Sequence, residues 1–187
     1  MSKTPQEVRK IRLKNDYKQM TNIKSSIIDW KPIKGSPPLV EEYELTINVK
    51  SIVGPGINYR DKHVVRISLP GGYPNSAPDT VMITTPQPYH VNWFSNGKWC
   101  YGTWDRSEGL GEHVIRMVRT LQFDPEITNV HSAANSEAGS WYSNNYGRKL
   151  FPCDRQTLPD PTKTNNPTKL IKFQVHNITK KKFHVLS

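Results

Sequence analysis

Cys100 stands in the run Ser95-Asn96-Gly97-Lys98-Trp99-Cys100-Tyr101-Gly102, with Lys98, Tyr101 and Gly102 close by rather than a set of aliphatic side chains. A structural thiol is usually surrounded by apolar residues, so this setting favours a reactive one. The attacking species is the thiolate, and an ordinary cysteine, with a pKa of about 8.5, is only a few per cent ionised at neutral pH. Cysteine is strongly nucleophilic even so, and an acyl group held on it as a thioester is already activated toward an amine. Such chemistry asks for a positioned cysteine, a donor for the developing oxyanion and a place to desolvate the amine. His90 and Asn92 lie upstream in the same irregular stretch, roughly residues 86–107, which also holds Trp93, Trp99 and Trp104. Loops of this length are uncommon unless they perform a function.

A cysteine hydrolase is the competing chemistry. Cys100 and His131 can be drawn as a dyad, but the surrounding signature is absent and no orienting Asp or Asn can be singled out. No metal site is expected: there is no CxxC, and the six histidines show no paired ligand spacing. No cofactor is expected either.

The elements that must position this stretch lie on both sides of it. Thr4-Pro5-Gln6-Glu7 is a helix start, with Thr4 as cap, Pro5 in the first turn and Glu7 three residues on. Val8, Ile11, Leu13, Tyr17, Met20 and Ile23 follow, mostly three or four apart, with Arg9, Lys10, Arg12, Lys14 and Lys18 largely between them. The pattern predicts an amphipathic helix with a basic outer face. From Ser25 the period becomes two. Ile28 and Trp30 mark a first strand, stopped by Lys34-Gly35-Ser36-Pro37-Pro38; Tyr43, Leu45, Ile47 and Val49 mark a second. Val65, Ile67 and Leu69 mark a third, and a fourth carries Val81 and Ile83 on one face. Short connections make these an antiparallel meander. Beyond the loop, Ser107 can cap a helix whose apolar stripe is Leu110, Val114, Met117, Val118 and Leu121, ended by Asp124-Pro125. A third, short helix is expected from about Asn135 to Asn145.

These elements predict one α+β domain over residues 1–147 and a basic C-terminal extension over 148–187. In the extension only Lys169 to Val175 reads as ordered, and Cys153 is expected as a surface or tail thiol. The net charge of +10 sits at the ends: residues 1–34 hold nine basic and three acidic side chains, residues 148–187 nine and two, and the middle eight and eleven. Basic ends can meet nucleic acid, an anionic membrane surface or an acidic protein. No nucleic-acid motif accompanies them, and the aromatics there are too sparse for a base-stacking platform. No apolar run approaches a membrane span and the N-terminus has no signal-like stretch, so a cytoplasmic protein with free thiols is expected.

The order helix, four-strand meander, cysteine loop, helix resembles the ubiquitin-conjugating enzyme family, and local sequence makes the resemblance specific. Tyr73-Pro74, Ala77-Pro78 and the strand Thr80–Thr85 resemble the family's proline-punctuated approach to its active-site loop. Tyr89-His90-Val91-Asn92 resembles its Tyr-His-Pro-Asn signature, and Asn96-Gly97 precedes Cys100 as an Asn-Gly pair precedes the family's catalytic cysteine. Leu121–Pro125 and Ala134–Ala138 resemble later segments, so that the likeness spans about residues 5–145. The resemblance implies that Cys100 carries a ubiquitin-like modifier as a thioester, delivered by an activating enzyme and passed to an amine of a target, directly or through a ligase. It implies that Asn92 is the oxyanion donor or holds the loop, and that His90 supports the loop. It also implies that the first helix, through Arg9, Lys10, Arg12 and Lys14, docks the activating enzyme.

Three departures matter. Val91 replaces the signature proline, so one fixed φ is lost. The stretch Glu126–Ser132 offers no clear equivalent of the family's acidic acceptor-side residue; Asn129 and His131 are candidates, a neutral His131 being able to take the amine proton. The usual pair of C-terminal helices is replaced by one short helix and the Lys-rich tail, with Lys180-Lys181-Lys182 as its most basic run. These departures suggest a divergent branch, such as a compact, prokaryotic-type conjugation system. Two other functions stay open: an inactive variant of the same fold that binds a modifier without carrying it, although such variants generally lack the cysteine, and a basic nucleic-acid-binding module.

Overall fold

In the computed structural model, which describes residues 3–164, Thr4 caps helix α1 (Pro5–Ile23) as its chemistry predicts. Its Oγ1 accepts the Glu7 N–H at 3.3 Å, and the Glu7 carboxylate accepts the Thr4 N–H at 2.7 Å. Strands β1 (Ile28–Ser36) and β2 (Leu39–Ile47) follow, then a two-stranded ribbon of β3 (Ser51–Ile52) and β4 (Tyr59–Arg60), then β5 (His63–Ser68) and β6 (Asp79–Met82). The main sheet is antiparallel in the order β1-β2-β5-β6, the expected meander, with the small ribbon inserted between its second and third strands. Helix α2 (Leu110–Leu121) crosses near α1, and α3 (Ser136–Asn145) leads into a single 3₁₀ turn. Asn135 Oδ1 caps α3 by accepting the Ala138 N–H at 3.0 Å. Among the described residues no helix is long and apolar enough to cross a membrane.

The core joins Ile28, Tyr43, Leu45, Ile47, Val65 and Ile67 of the sheet to Leu13, Met20 and Ile23 of α1 and to the whole expected stripe of α2. A second cluster gathers Ile52, Tyr89, Phe123, Ala138, Tyr142 and Phe151 under the loop that follows α2. Phe123 adopts a left-handed backbone (φ 57°), rare for so bulky a residue, while its ring is fully buried against His90 and Phe151.

Four expectations are corrected. On β6 the inward face is Thr80 and Met82, each 2% exposed, whereas Ile83 is 44% exposed; the strand pairs with β5 in the register that turns Met82 into the core. On α1, Val8 and Ile11 lie on the outside, while Arg9 and Arg12 turn inward. Their neighbours explain this. The Arg9 guanidinium donates to the Pro70 carbonyl at 2.6 Å and pairs with Glu41 at 2.9 Å. Arg12 pairs with buried Asp16 at 2.9 Å and donates to the carbonyls of Arg106, at 2.7 Å, and Glu108. Backbone carbonyls of two loops need donors there, and the arginines supply them. The cap of α2 also differs. Ser107 bonds Asp105, and Asp16 and Gln19 of α1 accept the Leu110 and Gly111 N–H groups, each at 2.9 Å.

The fourth concerns the chain after Gly147, which runs back across the domain as far as Pro161. Phe151 is buried, the Asp154 carboxylate accepts the Lys50 N–H at 2.6 Å, and the Pro161 carbonyl accepts from Asn22 at 2.8 Å. Cys153 is partly buried and held against the domain rather than a free tail thiol: its Sγ–H donates to the Lys50 carbonyl at 3.1 Å, and burial, with the nearby Asp154 charge, pushes its pKa up to about 12. Lys169–Val175 and Lys180–Lys182 lie outside the described residues.

Candidate active site

The spacing from Asn92 to Cys100 is a hairpin register. The Cys100 N–H donates to the Asn92 carbonyl at 2.8 Å, Trp93 pairs with Trp99, and the Phe94 N–H donates to the Lys98 carbonyl at 2.9 Å. Asn96-Gly97 makes the turn. Gly97 has φ 87°, and a Cβ there would stand 2.8 Å from the Met82 carbonyl oxygen, so only glycine fits. The returning strand lies along β6: the Met82 N–H donates to the Gly97 carbonyl at 2.8 Å and the Trp99 N–H to Thr80 at 3.1 Å. Cys100 thus emerges from the edge of the main sheet, and it is partly exposed.

The residues before Asn92 brace the opposite wall. His90 is fully buried, and its Nδ1 accepts the Asn92 N–H at 3.0 Å. Desolvation pushes its pKa down to about 3, so the ring is neutral and carries its proton on Nε2. That nitrogen faces Thr128 Oγ1 at 3.4 Å, whose hydroxyl donates to the Asp124 carbonyl at 2.8 Å. The His90 ring is thus placed between the Asn92 backbone and Thr128 of the loop after α2. The Asn92 side chain spans to the same loop: its Oδ1 accepts the Asn129 N–H at 3.2 Å, and its Nδ2 lies 3.5 Å from the Asn129 carbonyl. Val91 is buried, and its carbonyl accepts from Ala134 at 2.8 Å and Asn135 at 3.1 Å.

Between the two walls lies a cleft of about 210 Å³, lined by Asn92, Cys100, Arg116, Thr120, Asn129 and Ser132 along with rings of the cysteine strand. No carboxylate lines it among the described residues. Of the sequence-predicted residues, Cys100, Asn92 and Asn129 come together here. His131 is exposed and outside the lining, its N–H held by Asn129 Oδ1 at 3.0 Å. Arg9 and Arg12 are taken up inside the domain, so of the four expected docking residues only Lys10 and Lys14 are exposed.

The sequence reading missed Arg116. From the second turn of α2 its Nη1 donates to the Tyr101 carbonyl at 2.6 Å, while Nε and Nη2 take both oxygens of Glu108 at 2.8 and 2.7 Å. Burial works against the Glu108 carboxylate, but the nearby His113 ring and the bonds from Arg116 outweigh it and hold its pKa down to about 2. His113 is buried behind the cysteine strand among Trp99, Tyr101 and Trp104. An arginine between stripe positions of an amphipathic helix is ordinary, and nothing in its spacing marks it.

No protein-family model matches the chain, and no curated protein matches it. Among solved structures it is similar to human ubiquitin-conjugating enzyme E2 G1, at 17% identity over 64% of this chain and 98% of that one, with a TM-score of 0.48.

Proposed function

We propose that this chain accepts a ubiquitin-like modifier from an activating enzyme as a thioester on Cys100 and passes it to an amine of a target. The observation that carries this reading is the cleft, where a partly exposed cysteine, locked by its own N–H to Asn92, faces Asn129 across an open space. The signature around Asn92 and Cys100 supports the same reading. In the loading step the Cys100 thiolate attacks the carbonyl of the modifier's thioester, and the activating enzyme's thiol leaves. In the transfer step the target amine attacks the new thioester, an amide forms, the amine loses a proton and Cys100 departs as the thiol. Asn92 Nδ2, whose bond to the Asn129 carbonyl is the longer of its pair, turns to the oxyanion; a donor of this kind is worth about 2.7–4 kcal/mol. On the acceptor side Asn129 lines the cleft, and His131 reaches it only through movement of its loop. The outer face of α1, with Lys10 and Lys14 beside exposed Val8 and Ile11, docks the activating enzyme.

Incubation with ATP, the modifier and its activating enzyme, followed by intact-mass and peptide analysis, tests this. The expected product weighs the sum of the two proteins less one water, with the link on the Cys100 peptide. A link at Cys153, or no adduct with a partner set proven active, would contradict it.

A further inference from the structure

Two residues flank the nucleophile, and both are held by one side chain. The Arg116 guanidinium lies over the rings of Trp99, at 5.2 Å, and Tyr101, at 5.9 Å, and donates to the Tyr101 carbonyl. Its remaining fork is filled by the two Glu108 oxygens, so it is oriented from the far side by a bidentate ion pair. Glu108 is anchored in turn: its backbone carbonyl accepts from Arg12, and its side chain lies 3.6 Å from His113 Nδ1. The sheet holds the cysteine strand from one edge, but beyond Trp99 it makes no further backbone bond to β6. From Cys100 on, the strand is tied by the Cys100 N–H to Asn92, by Arg116 to the Tyr101 carbonyl and, further along, by the Trp104 Nε1–H to the Pro74 carbonyl at 2.8 Å.

We propose that Arg116, oriented by Glu108, is a positioning residue that fixes Cys100 against the acceptor wall of the cleft. This rests on the thioester reading and goes beyond it by assigning the alignment of the thioester to a residue outside the signature. The fork matters more than the charge. A lysine at this position keeps the cation but cannot hold Glu108 bidentately and the Tyr101 carbonyl together. A loss of alignment near 1 Å typically costs roughly 10²-fold in rate.

The test is single-turnover discharge of purified thioester to free lysine over a range of lysine concentrations, for wild type, Arg116→Gln, Arg116→Lys and Glu108→Gln. Thermal melting of each protein reports whether it is folded. All four are expected to load. The saturating rate falls roughly 10²-fold in Arg116→Gln, with the half-saturating lysine concentration unchanged. Arg116→Lys does not restore it, and Glu108→Gln shows a smaller loss in the same rate alone. A wild-type discharge rate in a folded Arg116→Gln, full rescue by lysine, or an effect confined to the half-saturating concentration would each overturn the positioning role while leaving the thioester reading intact. A wild type that never loads would overturn both.

Discussion

Asn92 and Cys100 are joined through the backbone, and that leaves the Asn92 side chain free to serve the other wall of the cleft. His90 sits one shell further in, where its neutrality is a condition of the fold: its Nδ1 must accept, and a protonated ring cannot. His63 is similar, held down to about 4 by burial and then by the Arg60 charge, against hydrogen bonds to two carbonyls. In the unfolded chain both take up a proton near pH 6.5. The unfolded state therefore binds more protons below that value, and stability falls as pH drops through 6.5 toward the folded values of about 3 and 4. At about 1.4 kcal/mol per group per pH unit, the pair costs about 4 kcal/mol between pH 7 and pH 5. Urea unfolding at those two pH values checks this, and a His90→Gln variant should show about half the loss; equal stability at both would contradict the assignment. Cys100, Asn92 and His90 stand out in the sequence because residue type and spacing together carry meaning. Arg116 does not, since its partners are a carbonyl fifteen residues away in the chain and a glutamate eight away.

The hairpin from Asn92 to Cys100 is the element that turns spacing into geometry. Because side chains alternate along a strand, its register decides whether the thiol faces the cleft or the core. Gly97→Val tests this: the positive φ and the 2.8 Å approach to the Met82 carbonyl are both incompatible with a side chain. The variant should lose at least about 1–3 kcal/mol in chemical denaturation, and its Cys100 should load poorly even where it remains folded. Unchanged stability and loading would show that the turn does not set the register. The apolar stripe of α2 was read correctly down to its last residue, since all five side chains enter the main core, whereas its cap, supplied by Asp16 and Gln19 of another helix, was not. Helix α1 was not. Its N-terminal half serves carbonyls near Pro70 and Arg106, so arginines face inward and Val8 and Ile11 face out, the reverse of a simple amphipathic pattern. On β6 both alternations supply apolar residues, so period alone could not choose between Val81 and Met82.

Across the whole molecule, the meander, the cysteine loop and two further helices were legible in sequence, whereas the return of residues 150–161 was not. That segment holds three prolines and two aspartates in twelve residues, which reads as tail; its attachment rests on Phe151 and on bonds at the Lys50 N–H and the Gln122 carbonyl. A chain ending at residue 147 should therefore be less stable than one ending at 164 by at least about 3 kcal/mol, the usual cost of emptying a buried phenylalanine site. Matched urea curves for the two chains would show it, and coincident curves would contradict it. The parts converge on one cysteine that stays reachable while everything around it is held. The most direct test replaces that thiol by a hydroxyl. Cys100→Ser, Cys153→Ser and wild type are incubated with ATP, modifier and activating enzyme and run without reductant. The account predicts a modifier-sized shift in wild type and Cys153→Ser that thiol removes, and in Cys100→Ser either a thiol-resistant ester or no shift. A thiol-sensitive shift that persists in Cys100→Ser, or none in wild type with partners of proven activity, would contradict it.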